Sequence, residues 1–223
     1  MKDHRWLEGQ GVLMSILVTI AILIGGIVEI VPLYLVRSSI EPIQGVKPYT
    51  ALELEGRDLY IKEGCYNCHS QMVRPFRDET ERYGPYSKAG EFVYDHPFQF
   101  GSKRTGPDLH RVGGKYPDSW HYYHMANPRQ LVSGSVMPSY PWLLKNRLDT
   151  SLTKKKMKVL KQLGTPYSQE EIDGAKDALQ KQAEEIVGRL RAEKVEDAQA
   201  DTEIVALIAY LQKLGNDIRW REK

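Results

Sequence analysis

The residues best suited to chemistry are Cys65, Cys68 and His69, which form a C-x-x-C-H sequence and include both cysteines of the chain. At this spacing each thiol can add to one vinyl group of a haem, and the adjacent histidine then gives the iron a nitrogen ligand. A zinc site, with His121 and His124 as further ligands, or a redox-active dithiol would use the same cysteines. No second C-x-x-C, no H-x₃₋₅-H pair and no βαβ pattern accompanies the motif. The motif therefore favours one covalently bound haem c.

A second iron ligand should come from further along the chain, on the opposite face of the ring. Met137 fits best, because Pro138 fixes the local backbone and the thioether of methionine is a common sixth ligand. Met72 lies too close to His69 along the chain, and Met125 falls in a predicted helix, where it is expected to pack. The alternative for Met137 is a loop methionine that fills a gap in the core.

One long apolar run, residues 11–36, precedes these ligands. It exceeds the roughly 20 apolar residues that a membrane-spanning helix needs, and no small-residue cleavage site follows it. We expect an uncleaved anchor, with residues 1–10 cytoplasmic, 37–49 a linker, and 50–223 the haem domain. Flanking charges leave the orientation open. Haem attachment to C-x-x-C-H in bacteria occurs outside the cytoplasm, which favours a periplasmic domain.

Beyond the linker the patterns predict a mainly α fold with long loops. Thr50 is expected to cap a helix over residues 51–62, residues 74–114 to form mostly irregular loop, and residues 118–126 to form a short helix. Extra helices are predicted near the C-terminus: residues 150–163, a long helix after the capping box of Ser168 and Glu171, and residues 203–214. The charged break at residues 194–200 separates the last two. The helical extension therefore covers about residues 150–200.

Other charged and aromatic residues carry weaker predictions. Arg111, Trp120, Tyr123 and Arg129 are candidates for contacts with haem propionates or the haem edge, with surface or core roles as equal alternatives. The lysine-rich stretch at residues 154–158 is typical of a solvated face, with a membrane-surface or acidic-partner role as the alternative. A formal net charge of +2 says little about partners. The absence of a nucleic-acid-reading motif and of one long stripe of arginine and lysine argues against DNA or RNA as a partner.

The sequence Thr105-Gly106-Pro107-Asp108-Leu109 resembles the Gly-Pro-x-Leu turn of small class I cytochromes c. The resemblance implies that the carbonyl of Pro107 accepts a hydrogen bond from the free nitrogen of the axial histidine. Such a contact fixes the ring and makes the ligand more basic. It also implies that Leu109 packs on the haem.

A wider resemblance covers residues 63–142, including EGCYNCHSQMVRPFRDETERYGPYS and MPSYPWL, and extends over the anchor and on to Tyr167. This stretch is similar to the mono-haem cytochrome subunit (subunit II, FixO/CcoO type) of cbb(3)-type cytochrome c oxidases. A class I-like cytochrome c domain anchored by one helix in the bacterial cytoplasmic membrane is therefore implied.

The resemblance also implies the function. The chain would be a non-catalytic electron-transfer subunit that relays electrons from a di-haem cytochrome c subunit to the haem–copper catalytic subunit. That catalytic subunit would reduce oxygen to water with proton pumping. The alternatives are the cytochrome c subunit of a membrane nitric oxide reductase, and a haem c sensor or free electron shuttle.

Overall fold

The structure, a computed structural model, describes residues 5–35, 42–101 and 103–219, and the chain divides into two compact units, 1–42 and 43–223. The first unit holds a short helix α1 (Arg5–Glu8) and the long helix α2 (Gly11–Leu35). The segment Gly11–Pro32 of α2 has a mean hydropathy of 2.6 and none of it is buried, so it is long and apolar enough to cross a bilayer. The predicted anchor is thus present as a candidate transmembrane helix. Parts of the predicted segments, residues 1–4, 36–41 and 220–223, lie outside the described residues.

The second unit consists of helices and loops. Within the described residues it contains no β-strand, which confirms the predicted mainly α fold. Its helices, in chain order, are α3 (Ala51–Lys62), α4 (Arg77–Tyr83), α5 (Asp118–Ala126), α6 (Pro128–Leu131), α7 (Thr153–Gln162), α8 (Gln169–Asp173), α9 (Ala175–Ala192), α10 (Glu203–Lys213) and α11 (Asn216–Arg219). Short 3₁₀ turns lie at Cys65–Asn67, Ala89–Glu91 and Pro141–Leu144.

Helix α3 begins and ends where local signals predict. The Thr50 hydroxyl accepts a hydrogen bond from the backbone N–H of Glu53, and the Glu53 carboxylate accepts one from the N–H of Thr50, at 3.3 and 2.9 Å. This reciprocal pair satisfies two of the N–H groups that every helix start leaves free. After Lys62 the chain turns at Gly64, whose φ of 70° suits a glycine.

The core of this unit is the crossing of α3 and α10. Gly56 faces α10 so closely that a Cβ atom at this position would lie 1.9 Å from the carbonyl oxygen of Ala206. Beside the crossing, the rings of Tyr60 and Tyr210 pack with centroids 5.3 Å apart, and both side chains are fully buried. The hydroxyl of Tyr210 accepts a hydrogen bond from the side-chain amide of Gln71 at 2.9 Å. This contact links the crossing to the segment that follows the cysteines.

Helices α7 to α9 form the predicted C-terminal extension, which packs on α3. The buried carboxylate of Glu55 accepts hydrogen bonds from the Thr153 hydroxyl and the Lys156 ammonium group, both at 2.6 Å. The capping box of Ser168 and Glu171 is present, but the helix after it is interrupted at Gly174. The apolar face predicted for the long helix after Ser168 is buried in α8 and α9, and its residues are Ile172, Ala175, Leu179, Ala183, Ile186 and Leu190.

Two predictions of secondary structure need correction. The stretch 74–114 is mostly irregular as expected, but it contains α4 and the 3₁₀ turn Ala89–Glu91. Helix α4 is stabilised by contacts with residues outside the helix. The buried carboxylate of Glu79 accepts hydrogen bonds from the backbone N–H of Arg74 and the guanidinium of Arg104, both at 2.8 Å. Helix α7 begins at Thr153, three residues later than predicted.

Candidate cofactor site

The two thiols and the histidine lie on one tight turn that directly follows α3. The N–H groups of Cys68 and His69 both donate to the carbonyl of Cys65, at 3.2 and 2.9 Å, which closes the turn. Cys65 is half-buried against the core, whereas Cys68 is exposed, and both thiols are free. Burial, with a smaller contribution from Glu63, raises the pKa of the Cys65 thiol to about 12. A redox-active dithiol needs a lowered pKa, so this environment does not favour one.

The zinc alternative likewise finds no support in the geometry. Among the residues that the structure describes, no three His, Cys, Asp or Glu side chains lie close enough to hold a metal ion. His121 and His124 therefore do not join the two cysteines in a four-ligand set. Instead, the imidazole of His124 stacks on Trp120 with ring centroids 4.4 Å apart, and His121 is buried within α5.

The imidazole of His69 is held in one orientation. Its Nδ1 lies 2.8 Å from the carbonyl oxygen of Pro107, which requires Nδ1 to carry the proton and donate it. The lone pair of Nε2 is then available to a ligand. Burial lowers the pKa of His69, although Pro107 and Asp108 oppose this effect. A neutral imidazole with a free Nε2 is the form that ligates iron.

The ring of His69 can lie beside Pro107 because residue 106 is a glycine, which has no side chain to occupy the space of the ring. A Cβ atom there would lie 2.2 Å from Cε1 of His69, so any larger residue would push the ring away from Pro107. The N–H of Gly106 donates to the carbonyl of Cys68 at 2.9 Å. The glycine of the Gly-Pro-x-Leu turn is therefore required by contact with the histidine ring.

Backbone pairing holds the two segments of the site together. One isolated antiparallel bridge joins His69 to Arg104, and further main-chain hydrogen bonds join residues 68–70 to residues 106–109. At the far end of the pairing, the N–H of Leu109 donates to the carbonyl of Ser70 at 2.9 Å. The histidine and the proline that orients it are consequently fixed by main-chain contacts.

Asp108 is a functional residue that sequence reasoning missed. One oxygen of its buried carboxylate accepts hydrogen bonds from the Ser70 hydroxyl and the Met72 N–H, and the other accepts one from the His110 N–H, all at 2.8 Å. Asp108 therefore stabilises both paired segments. The available signal was an acidic residue in the middle of the turn, since aspartate commonly accepts hydrogen bonds from the backbone there.

The loop between the paired segments is attached to the domain by buried ion pairs. Nε of Arg57 on α3 lies 2.7 Å from the carboxylate of Asp95. Glu91 binds Nε2 of His110 at 2.6 Å and a guanidinium nitrogen of Arg111 at 2.9 Å. Burial alone would raise the pKa of Glu91, but the hydrogen bonds from His110 and Arg111 lower it to about 2. The loop is therefore a packed part of the domain.

Met137 lies in the irregular segment between α6 and the 3₁₀ turn Pro141–Leu144. It is partly buried against the same core cluster that Cys65 and Leu109 contact. Its N–H donates to the Ser135 hydroxyl at 3.2 Å, and the segment is joined to α5 by a hydrogen bond from the N–H of Tyr140 to the carbonyl of Met125 at 2.8 Å. Its role as the second axial ligand remains a prediction.

The weaker candidates occupy different environments. Trp120 stacks between Tyr116 and His124, and Tyr123 is partly buried against the core. Arg129 is exposed, while Arg111 binds Glu91 and also donates to the carbonyls of residues 85 and 86 at 3.2 and 3.3 Å. The structure thus gives Arg111 a role in holding the loop. Contacts of these residues with a haem remain predictions.

The donor set fits a haem c. Two free thiols and a neutral, oriented imidazole lie on one turn, and Gly106 leaves the ring the space to keep that orientation. A family model described as "Cytochrome C oxidase, mono-heme subunit/FixO" matches residues 4–218, which includes the apolar helix, the site and the C-terminal extension. No curated protein matches the chain.

Proposed function

The chain belongs to the FixO family of mono-haem cytochrome c oxidase subunits, and from this premise we propose that it is the electron-relay subunit of a cbb(3)-type oxidase. In this role it accepts electrons from a di-haem cytochrome c subunit and passes them to the haem–copper catalytic subunit. That subunit reduces oxygen to water and couples the reaction to proton pumping. The chain itself supplies no catalytic residue.

Each residue of the site has a separate task in this proposal. A haem c at this site supplies a one-electron iron couple. Cys65 and Cys68 would hold it covalently, Nε2 of His69 and the thioether sulfur of Met137 would be the two iron ligands, and the sulfur would raise the potential. The observation that carries the proposal is the 2.8 Å contact between Nδ1 of His69 and the carbonyl of Pro107, on the turn that carries both free thiols.

Covalent attachment is tested on denatured protein. The full chain, produced in cells competent for haem attachment, should keep its haem through denaturing gel electrophoresis and stain for peroxidase activity. A variant with both Cys65→Ala and Cys68→Ala should lose the stain. An unstained band from the unmodified chain would contradict the proposal.

The sixth ligand is tested with carbon monoxide. The unmodified protein should show the weak near-infrared band of an Fe(III)–sulfur bond and should not bind carbon monoxide at neutral pH. Met137→Ala should keep the covalent haem, gain carbon monoxide binding and lose relay activity. Ready binding by the unmodified protein would favour a sensor or a catalytic haem.

We also propose that the N-terminus is cytoplasmic and that the domain after the anchor is periplasmic. The requirement that haem c be attached outside the cytoplasm supports this orientation, and the apolar helix α2 supports membrane anchoring. Protease added to spheroplasts should digest the domain. Protection in spheroplasts, with digestion only in inverted vesicles, would reverse the topology.

The partner subunits are proposed to include a copper-containing catalytic subunit, with the loop of residues 74–111 docked against it. Arg82 and Arg104 both lie over the ring of Tyr83, at 5.2 and 5.4 Å from its centroid, and Phe76 is 54% exposed. Arginine and aromatic residues of this kind are enriched at interface cores. Copper should co-purify with the chain, whereas non-haem iron would point to a nitric oxide reductase. The loop should also exchange amide hydrogens more slowly in the complex than in the isolated chain.

A further inference from the structure

Helix α7 presents an outward face that combines apolar and basic side chains. Leu152, Val159 and Leu163 are 53%, 45% and 40% exposed, and their spacing of seven and four residues places them on one stripe of the helix. A different side of α7 faces the domain, since Thr153 and Met157 are buried. The exposed stripe is therefore additional to the face that packs on the domain.

Exposed lysines continue from one side of this stripe around the helix: Lys155 and Lys158 lie nearest to it, and Lys154 and Lys161 lie farther round. Lys154, Lys155, Lys158 and Lys161 are exposed, and none of them has an ion-pair partner among the described residues. Lys156, by contrast, pairs with Glu55 and Asp58 at 2.6 and 2.7 Å. Residues 150–168 contain five lysines and no acidic residue, in a chain whose formal net charge is only +2. The face is thus a local concentration of unpaired positive charge.

The position of α7 within its unit is also informative. Thr153 binds Glu55 on α3, whereas the hydroxyl of Tyr167, just beyond the end of α7, donates to the carbonyl of Tyr49 at 2.6 Å. The C-terminal end of α7 therefore lies beside the segment that leads into α3. That segment starts at Ile43, the first residue of this unit.

From these observations we propose that the outward face of α7 (Leu152, Val159 and Leu163, with Lys155 and Lys158 beside them) binds the anionic headgroup surface of the membrane, and that Lys154 and Lys161 add to its positive charge from farther round the helix. Apolar side chains on such a face enter the headgroup boundary, while lysine stems lie along it and place their ammonium groups beside lipid phosphates. A chain already held at a membrane by an anchor needs only a weak additional contact, because its local concentration at the surface is high.

The composition of the face favours lipid over a protein partner. Interface cores between proteins are enriched in aromatic residues and arginine and depleted in lysine. Residues 152–163 include lysine, leucine and valine but no arginine and no aromatic residue. The loop of residues 74–111 has the opposite composition, so the two surfaces are suited to different partners.

The test uses the full chain with its haem, reconstituted into nanodiscs, and measures hydrogen exchange of the peptide that covers residues 152–163. One lipid is phosphatidylcholine alone, and the other contains about 30% phosphatidylglycerol as the anionic component. Exchange should slow in the anionic discs only, and high salt should remove most of the effect. Equal exchange in the two lipids would overturn the proposal.

Variants in which lysines are replaced by neutral glutamine test whether the lysine charges cause the protection. The triple variant K154Q/K155Q/K158Q should lose the protection, because each lysine contributes about fivefold to the binding constant, or about a hundredfold for three. The matched control K176Q/K181Q removes exposed lysines from the neighbouring helix α9 and should keep the protection. Unchanged exchange in α10 would show that both variants are folded.

Two further outcomes decide against the proposal. Protection that persists in the triple variant would mean that the lysines do not bind lipid. Protection that appears in phosphatidylcholine discs only after the other oxidase subunits are added would identify an acidic protein partner. Slower exchange in anionic discs, lost in the triple variant and kept in the control, would establish the lipid contact.

Discussion

Replacement of Gly56 by alanine should strongly destabilise the haem domain. The new Cβ atom would lie 1.9 Å from the carbonyl oxygen of Ala206 and 2.9 Å from Cβ of Tyr210, whereas ordinary contacts begin at 3.4 Å. The obstacle is backbone, which cannot rotate away, so α3 and α10 must separate by about 1.5 Å. A gap of about 0.5–1 Å already removes a quarter to a half of the dispersion energy of a contact.

The magnitude follows from two opposing effects. Overpacking of a core costs about 1–3 kcal/mol and sometimes more, and a backbone collision between the two main core helices belongs at the upper end. Alanine is favoured over glycine inside a helix by up to about 1 kcal/mol, which offsets part of that cost. We therefore expect the free energy of unfolding to fall by about 2 kcal/mol.

Gly188→Ala is the matched control, because Gly188 is also inside a helix but is exposed and has no atom within 4 Å of its Cβ position. This change should raise the free energy of unfolding by up to about 1 kcal/mol. Urea unfolding of the full chain in detergent, followed by tryptophan fluorescence, measures both variants. If the two substitutions shift the midpoint in the same direction by similar amounts, the close helix crossing is not what stabilises the domain.

Three other predictions follow from single contacts. Gly106→Ala should keep the proposed covalent haem but alter its low-spin spectrum and potential, because the new Cβ displaces the ring of His69. Gly188→Ala, on α9 with open space at its Cβ, should leave both unchanged. Burial lowers the pKa of His121 from 6.5 to about 4, so the folded state resists protonation and the free energy of unfolding should fall as the pH drops from about 6.5 to 4. His121→Phe should remove up to about 3 kcal/mol of that acid-dependent loss, measured by urea unfolding at a series of pH values; an unchanged slope would contradict the assignment. Glu79→Gln should speed hydrogen exchange in α4, because two arginine contacts lose their charged partner; unchanged exchange would mean that these contacts do not hold the helix.

The helices that could be predicted from the sequence are those whose ends carry local signals. Thr50 and Glu53 mark the start of α3, Gly64 follows its end, and Asn127 before a proline ends α5. These signals act within a few residues, so the sequence displays them directly. Helix α4 was missed because the arginine contacts that stabilise it depend on tertiary structure, and Arg104 lies 25 residues from Glu79.

The contacts of the candidate site also fall into two groups: those that a local sequence motif predicts and those that depend on the folded structure. The pairing of His69 with Pro107 could be predicted, because a recognisable turn motif carries the second partner. The roles of Asp108 and of the Arg57–Asp95 pair could not, since their partners lie 36 to 38 residues away and no short pattern connects them. A buried carboxylate is identified by what surrounds it, and that information appears only when the chain is folded.

The main-chain contacts between residues 68–70 and 104–109 also separate the orientation of His69 from the recognition surface of the loop. The main-chain contacts that orient His69 lie at the base of the long loop, so the loop is closed there whatever its length. The entropic cost of closing a loop grows only slowly with added residues, and surface loops tolerate insertions well. The exposed positions of this loop can therefore be redesigned for a different partner, provided that the buried contacts of Glu91 and Asp95 are kept, while His69 keeps its orientation. Orientation of the histidine and recognition of a partner can in this way change independently.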